Sequence, residues 1–298
     1  MTVGQQLLQL FVTGLTNGAI YALLGLGLVC IYSVTKVVNV AQGEFAVYGA
    51  LVTVSLLRAG LPLWAAALVA IALVTGLGVA LYQVGIASVP RPSPVTLLIV
   101  TVAAHLVLKG IALIVWGTNP YALPVFTPGM PLFLGPAVVQ RQSLWVAGSL
   151  AVVVGGLWLF FRTTLAGKAL RACSMNARAA RLMGIRVGRM GALAFGLAAA
   201  LGALGGILVA PITLATYDMG LMLGLKGFVG AVVGGLTSYP LAVAGSLVLG
   251  LFESLSAGLL SSGYRDAMAF VGLIAVLLAR GIPAFRRGVL AGEEALAE

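Results

Sequence analysis

The sequence predicts an all-α, polytopic transmembrane bundle of about eight or nine spans, with candidates for broken or re-entrant helices among them. Hydrophobic residues make up 61% of the 298-residue chain and charged residues only 8%, whereas soluble domains carry roughly 25% charged residues. Six stretches contain no charge at all: residues 2–35, 59–90, 110–140, 142–161, 190–217 and 227–252. Each holds the roughly 20 residues that a spanning helix needs, and their continuous apolar character favours helices over barrel strands.

Apolar runs and helix breakers place the predicted helices along the chain. They lie near residues 7–33, 40–57, 62–88, 94–116, 143–161, 190–215, 221–238, 241–261 and 266–283. Gly60 and Pro62 precede the third helix, and a proline-rich turn at 90–94 follows it. The segment 221–238 is short and Gly-rich, so it is a candidate for a half-helix, which membranes tolerate where protein or a cavity covers it.

Basic residues set the predicted sidedness of this single transmembrane domain, residues 1–298. The loop 162–189 contains seven basic residues and no acid: Arg162, Lys168, Arg171, Arg178, Arg181, Arg186 and Arg189. The positive-inside rule makes this loop cytoplasmic, together with the short tail 284–298. The proline-rich segment 117–142 is predicted to be external. The side of the N-terminus follows only if all five spans before residue 162 are real.

The cytoplasmic loop also has the pattern of an amphipathic helix. Taken as one helix, Lys168–Met183 gathers apolar side chains on one face: Leu170, Cys173, Ala177, Ala180 and Met183. Gly184 follows where a helix end needs a positive φ. Such a helix either rests on anionic lipid or inserts into a cytoplasmic partner, and composition alone does not choose.

Several stretches resemble one known family. Residues 171–185 resemble the coupling loop of branched-chain amino acid ABC importer permeases of the LivH type. The stretches 14–24 and 38–50 are similar to the family's first two helices, and Gly250–Glu253 and Ser261–Asp266 to its closing helices. The family usually has acidic residues where Met175 and Asn176 stand here, although Asn176 can still cap a helix turn.

The resemblance implies a function and a set of partners. The chain would be the inner-membrane permease subunit of a bacterial ABC importer for branched-chain or related amino acids. It would work with a second, LivM-like permease, two ABC ATPase subunits and a periplasmic substrate-binding protein. ATP and Mg²⁺ would be used by the ATPases, with no cofactor bound by this chain. The ATPase-coupling residues would be Arg171, Asn176, Ala180, Gly184 and Ile185.

Polar residues within the predicted spans are candidates for the translocation pathway. Glu44 lies in a membrane segment, where an acid costs roughly 2.5–3.5 kcal/mol at the bilayer centre. Asn39, Gln42 and Gly43 accompany it and suggest an interrupted helix turn facing the bundle interior. These residues either line a substrate path or form hydrogen bonds to a neighbouring broken backbone.

Glu253 is the second acid within a long apolar stretch. It is a pathway candidate, or it forms an interior ion pair with Lys226 or with the second permease. His105 lies four residues before Lys109 on one helix face, and a packed or interface-facing pair is expected there rather than a proton relay. The glycine pairs 14/18 and 202/206 have the spacing of helix-packing motifs.

Other function classes find less support in the sequence. A self-contained secondary transporter or channel for a small polar solute is the alternative function. No catalytic or metal-ligating residue is predicted, because the chain has one His and two cysteines in unrelated contexts, Cys30 and Cys173. No G-x-x-x-x-G-K-[ST] phosphate loop is present. No nucleic-acid-binding signature appears either, and the basic loops that orient any inner-membrane protein account for the net charge of +10.

Overall fold

The computed structural model describes residues 3–90, 93–134 and 137–259, together with residues 263, 266, 267, 270–272, 274 and 278. The helices are α1 (Val3–Thr35), α2 (Gln42–Arg58), α3 (Leu63–Leu81), α4 (Pro94–Trp116), α5 (Arg141–Thr163), α6 (Leu165–Met175), α7 (Ala177–Leu182), α8 (Val187–Thr213), α9 (Met219–Gly234) and α10 (Tyr239–Leu259). A small antiparallel hairpin, β1 (Leu132–Leu134) and β2 (Ala137–Val139), precedes α5. The predicted all-α bundle is confirmed.

Six described helices are long and apolar enough to cross a membrane: α1, α3, α4, α5, α8 and α10. The predicted spans at 40–57 and 221–238 correspond to α2 and α9, which have only 17 and 16 residues. The predicted helix 266–283 falls mostly, and the tail 284–298 entirely, outside the described residues.

Local sequence explains the boundaries of α3 and α4. Pro62 precedes α3 with an extended backbone, and α3 continues into one π-helical turn at Tyr82–Ile86. The Ser93 hydroxyl accepts a hydrogen bond from the Thr96 N–H at 3.0 Å, and Pro94 occupies the first position of α4. This is the usual chemistry of a helix N-terminus, and both predicted helices are confirmed.

The ends of α1 fix the sidedness of the bundle. Near its start, the Gln9 side chain donates to Val138 O (3.1 Å) and accepts from Val138 N (2.9 Å) on the hairpin. Near its end, Val34 packs with Leu170 and Cys173 of the basic loop. The positive-inside rule predicts that this loop is cytoplasmic, and on that prediction α1 runs from the external side inward. The same prediction puts five crossings between an external N-terminus and the cytoplasmic loop.

α1 forms the centre of the bundle and packs closely on its neighbours through glycines. A Cβ added at Gly250 of α10 would overlap the backbone of Gly18 and Gly14 on α1. On α8, a Cβ added at Gly202 would crowd Phe45 of α2, and a Cβ added at Gly206 would overlap Ala46 of α2. Both predicted glycine motifs therefore act as helix-packing surfaces, which suits a bundle that gains little from hydrophobic burial within lipid.

Gly206→Ala tests this packing. The added methyl group would overlap Ala46 O, and overpacking of this kind costs about 1–3 kcal/mol. We expect a clear fall in the Tm of the purified chain in detergent. Gly76→Ala on α3 is the matched control, because open space surrounds that position. An equal fall in both variants would contradict the close contact between α2 and α8.

Candidate functional site

The chain enters the membrane region from the cytoplasmic side without forming a helix. Residues 36–41 connect α1 to α2 in a non-helical conformation. Val40 N–H donates to Thr101 Oγ1 at 3.4 Å, and that oxygen lies 3.2 Å from Val38 O. Thr101 is seven residues into α4, about 10 Å from its cytoplasmic end at a rise of 1.5 Å per residue. α2 therefore begins inside the membrane and runs outward.

A similar interruption enters from the external side. Ala215 pairs with Tyr121 in an isolated β-bridge beside the external end of α4, and α9 begins four residues later. Lys109 is seven residues, about 10 Å by the same helical rise, from the external end of α4. Its Nζ lies 5.7 Å from the centre of the Tyr217 ring. α9 therefore begins inside the membrane and runs toward the cytoplasm, opposite to α2.

The N-termini of these two half-helices meet at glycines. A Cβ at Gly43 would overlap Gly220 O and would lie 3.0 Å from Gly224 N. A Cβ at Gly220 would in turn approach the Glu44 carboxylate. Side chains at either glycine would push the helices apart, so the junction depends on both. Of the two, the sequence identified Gly43 but not Gly220.

Buried polar side chains surround this junction. Asn39 Oδ1 accepts from Ala41 N at 3.2 Å, and Gln42 Nε2 donates to Ala198 O on α8 at 2.9 Å. Both residues are 1% exposed. Asn39 thus bonds the backbone of its own turn, and Gln42 holds the start of α2 against the regular helix α8 rather than against a neighbouring broken backbone.

Glu44 has a different environment. It is fully buried in the first turn of α2, and its Oε1 lies 2.9 Å from His105 Nδ1, although the angles are not those of a hydrogen bond. The partner of His105 is therefore Glu44 on α2, rather than the Lys109 expected from the helical spacing. The positive ends of two helix dipoles next to this carboxylate favour its negative charge, whereas the full burial of the side chain opposes it.

Five polar atoms of the junction have no hydrogen-bond partner among the described residues: Asn39 Nδ2, Gln42 Oε1, Glu44 Oε1, Glu44 Oε2 and His105 Nδ1. The first turns of α2 and α9 also lack side-chain caps within that part of the chain. Unpaired polar groups are costly in an apolar interior. The junction can therefore offer both donors and acceptors to a zwitterionic solute.

Glu253 lies in a separate cluster of charges. Its Oε1 accepts a 2.8 Å hydrogen bond from Lys226 Nζ of α9, which also lies 2.6 Å from Asp266 Oδ1. Lys226 Nζ is 5.6 Å from the centre of the Tyr21 ring on α1. The Lys226 ion pair considered from the sequence is therefore present. It joins α9 to α10.

The cytoplasmic loop contains two helices, so the prediction of one helix from Lys168 to Met183 is wrong. Asn176 adopts an extended conformation between α6 and α7. Its Oδ1 accepts from the N–H groups of Arg178 (3.0 Å) and Ala179 (3.1 Å). Asn favours such a cap over a helix interior because its side chain competes for backbone donors.

Gly184 ends α7 as the sequence predicted, with φ +81°. Gly184 N–H donates to Arg181 O and Ile185 N–H donates to Ala180 O, each at 3.1 Å. This pair of bonds is a Schellman motif. Arg171, Asn176, Ala180, Gly184 and Ile185 are therefore part of one compact, capped element, which we call the cytoplasmic element (residues 165–185).

One face of the cytoplasmic element is anchored and the other is free. Leu170, Cys173 and Ala180 are buried against the ends of α1, α5 and α8, and burial raises the pKa of the Cys173 thiol. Met183, predicted on the buried face, is 83% exposed because the break at Asn176 turns α7. Large apolar side chains instead project outward: Leu165, Met175, Leu182 and Met183.

Interrupted helices that meet within a bundle are typical of membrane transport proteins. The chain belongs to the family described as "Branched-chain amino acid transport system / permease component", whose model matches residues 10–277. It is accordingly a multi-pass membrane permease component.

Named relatives extend over nearly the whole chain. It is 31% identical over 288 residues to the "High-affinity branched-chain amino acid transport system permease protein LivH" of Escherichia coli K12, covering 91% of this chain and 92% of that protein. The LivH protein of Salmonella typhimurium is 30% identical with the same coverage. The BraD permease protein of Pseudomonas aeruginosa is 29% identical over 287 residues, covering 92% of this chain and 94% of that protein.

One of the solved structures similar to this chain is "PsaBC from Streptococcus pneumoniae in complex with Fab". It aligns with 91% of this chain and 90% of its own chain, at a TM-score of 0.47 and 17% identity.

The contact between Glu44 and His105 can be tested with a double-mutant cycle. Glu44→Gln and His105→Gln should be non-additive in the free energy of unfolding, with a coupling of roughly 1 kcal/mol or more for residues in contact. SDS titration of the chain in mixed micelles measures this energy.

The control for this cycle combines Glu44→Gln with Gln142→Ala. Gln142 is also buried, but its side chain donates to Leu208 O on α8, so the two effects should add. Additive effects of Glu44→Gln and His105→Gln would show that the two side chains do not interact.

Proposed function

We propose that this permease is the translocation subunit of an ABC importer in the bacterial inner membrane and carries branched-chain amino acids inward. The cytoplasmic element supports this most strongly. It is anchored to three helices of the bundle and rigidly capped, yet it exposes large apolar and basic side chains to the cytoplasm. An exposed apolar patch of this kind is suited to a partner protein.

The occupant of that surface is an ABC ATPase subunit. Two ATPases, a second LivM-like permease and a periplasmic substrate-binding protein complete the importer, and ATP and Mg²⁺ bind at the ATPases. The chain itself is non-catalytic, in keeping with the lack of a phosphate-loop sequence. Movement of the ATPases acts on residues 171–185 and is passed to α1, α5 and α8, which anchor the element.

The polar junction has the chemistry to contact an amino acid on its way through. Uncapped N–H groups at the starts of α2 and α9 suit a carboxylate, and Glu44 suits an ammonium group. Asn39, Gln42 and Gly43 shape this part of the pathway. The relatives named as branched-chain amino acid permeases support that substrate class.

The buried acid–histidine pair favours one alternative, a self-contained secondary transporter. Titratable groups inside the membrane are used by transporters that couple to protons. Reconstitution separates the two functions. The importer should take up leucine only with its binding protein, ATPases and ATP present, and uptake by the chain alone without ATP would establish the alternative.

Glu44→Gln tests the role of the junction in transport. We expect slower leucine uptake by the reconstituted importer, because the neutral amide attracts an ammonium group less strongly, while subunits still assemble. Gln142→Ala is the control, since that buried polar residue lies on α5 away from the junction. Normal uptake by Glu44→Gln would remove Glu44 from the pathway.

Two substitutions test the cytoplasmic element as a whole. Gly184→Pro removes the N–H that bonds Arg181 O and cannot adopt the positive φ, and Ala180→Glu places a carboxylate in an apolar cluster. Both should uncouple ATP hydrolysis from uptake. Wild-type ratios of leucine transported to ATP hydrolysed in both variants would count against the assignment.

A milder pair of variants maps the docking surface. Leu182 of α7 is 89% exposed and Leu165, at the membrane end of α6, is 85% exposed. Leu182→Gln should weaken ATPase binding about tenfold, the effect of losing one buried leucine. Leu165 lies outside residues 171–185, on which the ATPases act, so Leu165→Gln is the matched control and should bind normally in the same pull-down titration. Equal binding by both variants would place the docking surface elsewhere.

A further inference from the structure

A cavity of about 290 Å³, lined by both polar and apolar side chains, opens at the cytoplasmic end of the bundle. It lies between α6 and the start of α10, and its polar lining includes Arg171, Ser174, Thr237 and Ser238. Arg171 is exposed and Ser174 half-buried, so a guanidinium and several hydroxyl donors face the same space. These groups are suited to a phosphate.

An apolar groove of about 220 Å³ continues from this cavity into the membrane region. It runs between the last turns of α5 and the first turns of α10, over residues such as Leu26, Leu157 and Val243. Phe161, Arg171, Tyr239 and Pro240 line both spaces. One ligand with a polar head and an apolar chain would therefore fill both.

The charge around the two spaces is positive. Among the described residues, neither space is lined by an acid, and the sequence contains none from residue 45 to 217 or from 219 to 252. The Arg162 guanidinium lies 4.9 Å from the centre of the Trp158 ring, and Trp158 lines the groove. The start of α10 adds the positive end of a helix dipole.

We propose that this composite site binds an anionic glycerophospholipid of the cytoplasmic leaflet. The phosphate lies at Arg171 and Ser174, and one acyl chain lies in the groove between α5 and α10. A basic pocket between helices on the cytoplasmic side suits an anionic headgroup. Because Arg171 belongs to α6, the lipid holds the cytoplasmic element against the membrane helices.

Quenching of Trp158 fluorescence by brominated lipid tests the site. The full chain is reconstituted in phosphatidylcholine nanodiscs that contain a minor fraction of phosphatidylglycerol or phosphatidylcholine with brominated acyl chains. The signal of Trp158 is isolated by subtracting a Trp158→Phe variant. We expect brominated phosphatidylglycerol to quench Trp158 more strongly than brominated phosphatidylcholine at the same mole fraction.

Two arginine variants distinguish binding at this specific site from a general effect of positive charge on the anionic lipid. Arg171→Gln should lower the preference for phosphatidylglycerol about fivefold, the effect of one basic group at a membrane surface. Arg186→Gln removes an equal charge from an exposed residue that lines neither space, and should keep the preference.

Three results would overturn the proposal. The first is equal quenching by the two lipids, and the second is an equal loss of preference in both arginine variants. The third is loss of the preference for phosphatidylglycerol when millimolar inorganic phosphate is added to the buffer. That loss would show a site for a free anion rather than for a lipid.

Discussion

The structure depends on how backbone polar groups are satisfied where two helices are interrupted inside the membrane. Hydrocarbon offers no hydrogen bonds, so non-helical backbone persists at that depth only when protein covers it. Here the coverage is specific. Thr101 bonds the segment before α2, Asn39 holds its turn, and Gln42 ties it to α8. The polar residues that looked anomalous in an apolar sequence are the ones that make the interruption possible.

Close packing of small residues encloses the interrupted helices. Glycines on α1, α8, α9 and α10 let backbones approach within van der Waals contact, and α1 is surrounded on nearly all sides. The more peripheral helices α3, α4 and α5 leave most of their surface unburied by the rest of the described chain. α4 contacts the segment before α2 through Thr101, and α2 itself through His105 and through the Leu108 carbonyl, to which the Tyr48 hydroxyl donates at 2.9 Å. Polar contacts therefore account for much of the packing of α4 at the junction.

The sequence predicted the features that depend on local pattern. The long apolar runs and the breakers around α3 gave its boundaries and those of α4, and Gly184 marked the end of α7. The group around Glu44 identified one side of the junction, because an acid in a membrane segment stands out whatever its partner. The basic loop indicated the cytoplasmic side.

Contacts between distant parts of the chain could not be predicted in the same way. His105 is far from Glu44 in the sequence, and the helical spacing predicted a pair with Lys109 instead. No sequence feature distinguishes Gly220 from the many other glycines, and only its contact with Gly43 in the structure does so. The break at Asn176 was missed because the apolar period continues through it, although the cap chemistry of Asn was visible. Lys226 and Glu253 were paired from the sequence only as one alternative, since charge alone does not fix distance.

The most direct test of the meeting half-helices is a distance between spin labels at Arg58 and Met219 in a background without Cys30 and Cys173. Arg58 ends α2 at the external side, and Gly220 contacts Glu44 and Val47 near the start of α2. The intervening helix predicts a separation of about 20 Å at 1.5 Å per residue. A much shorter distance, with Met219 beside Arg58, would place the start of α9 at the external surface and contradict the junction.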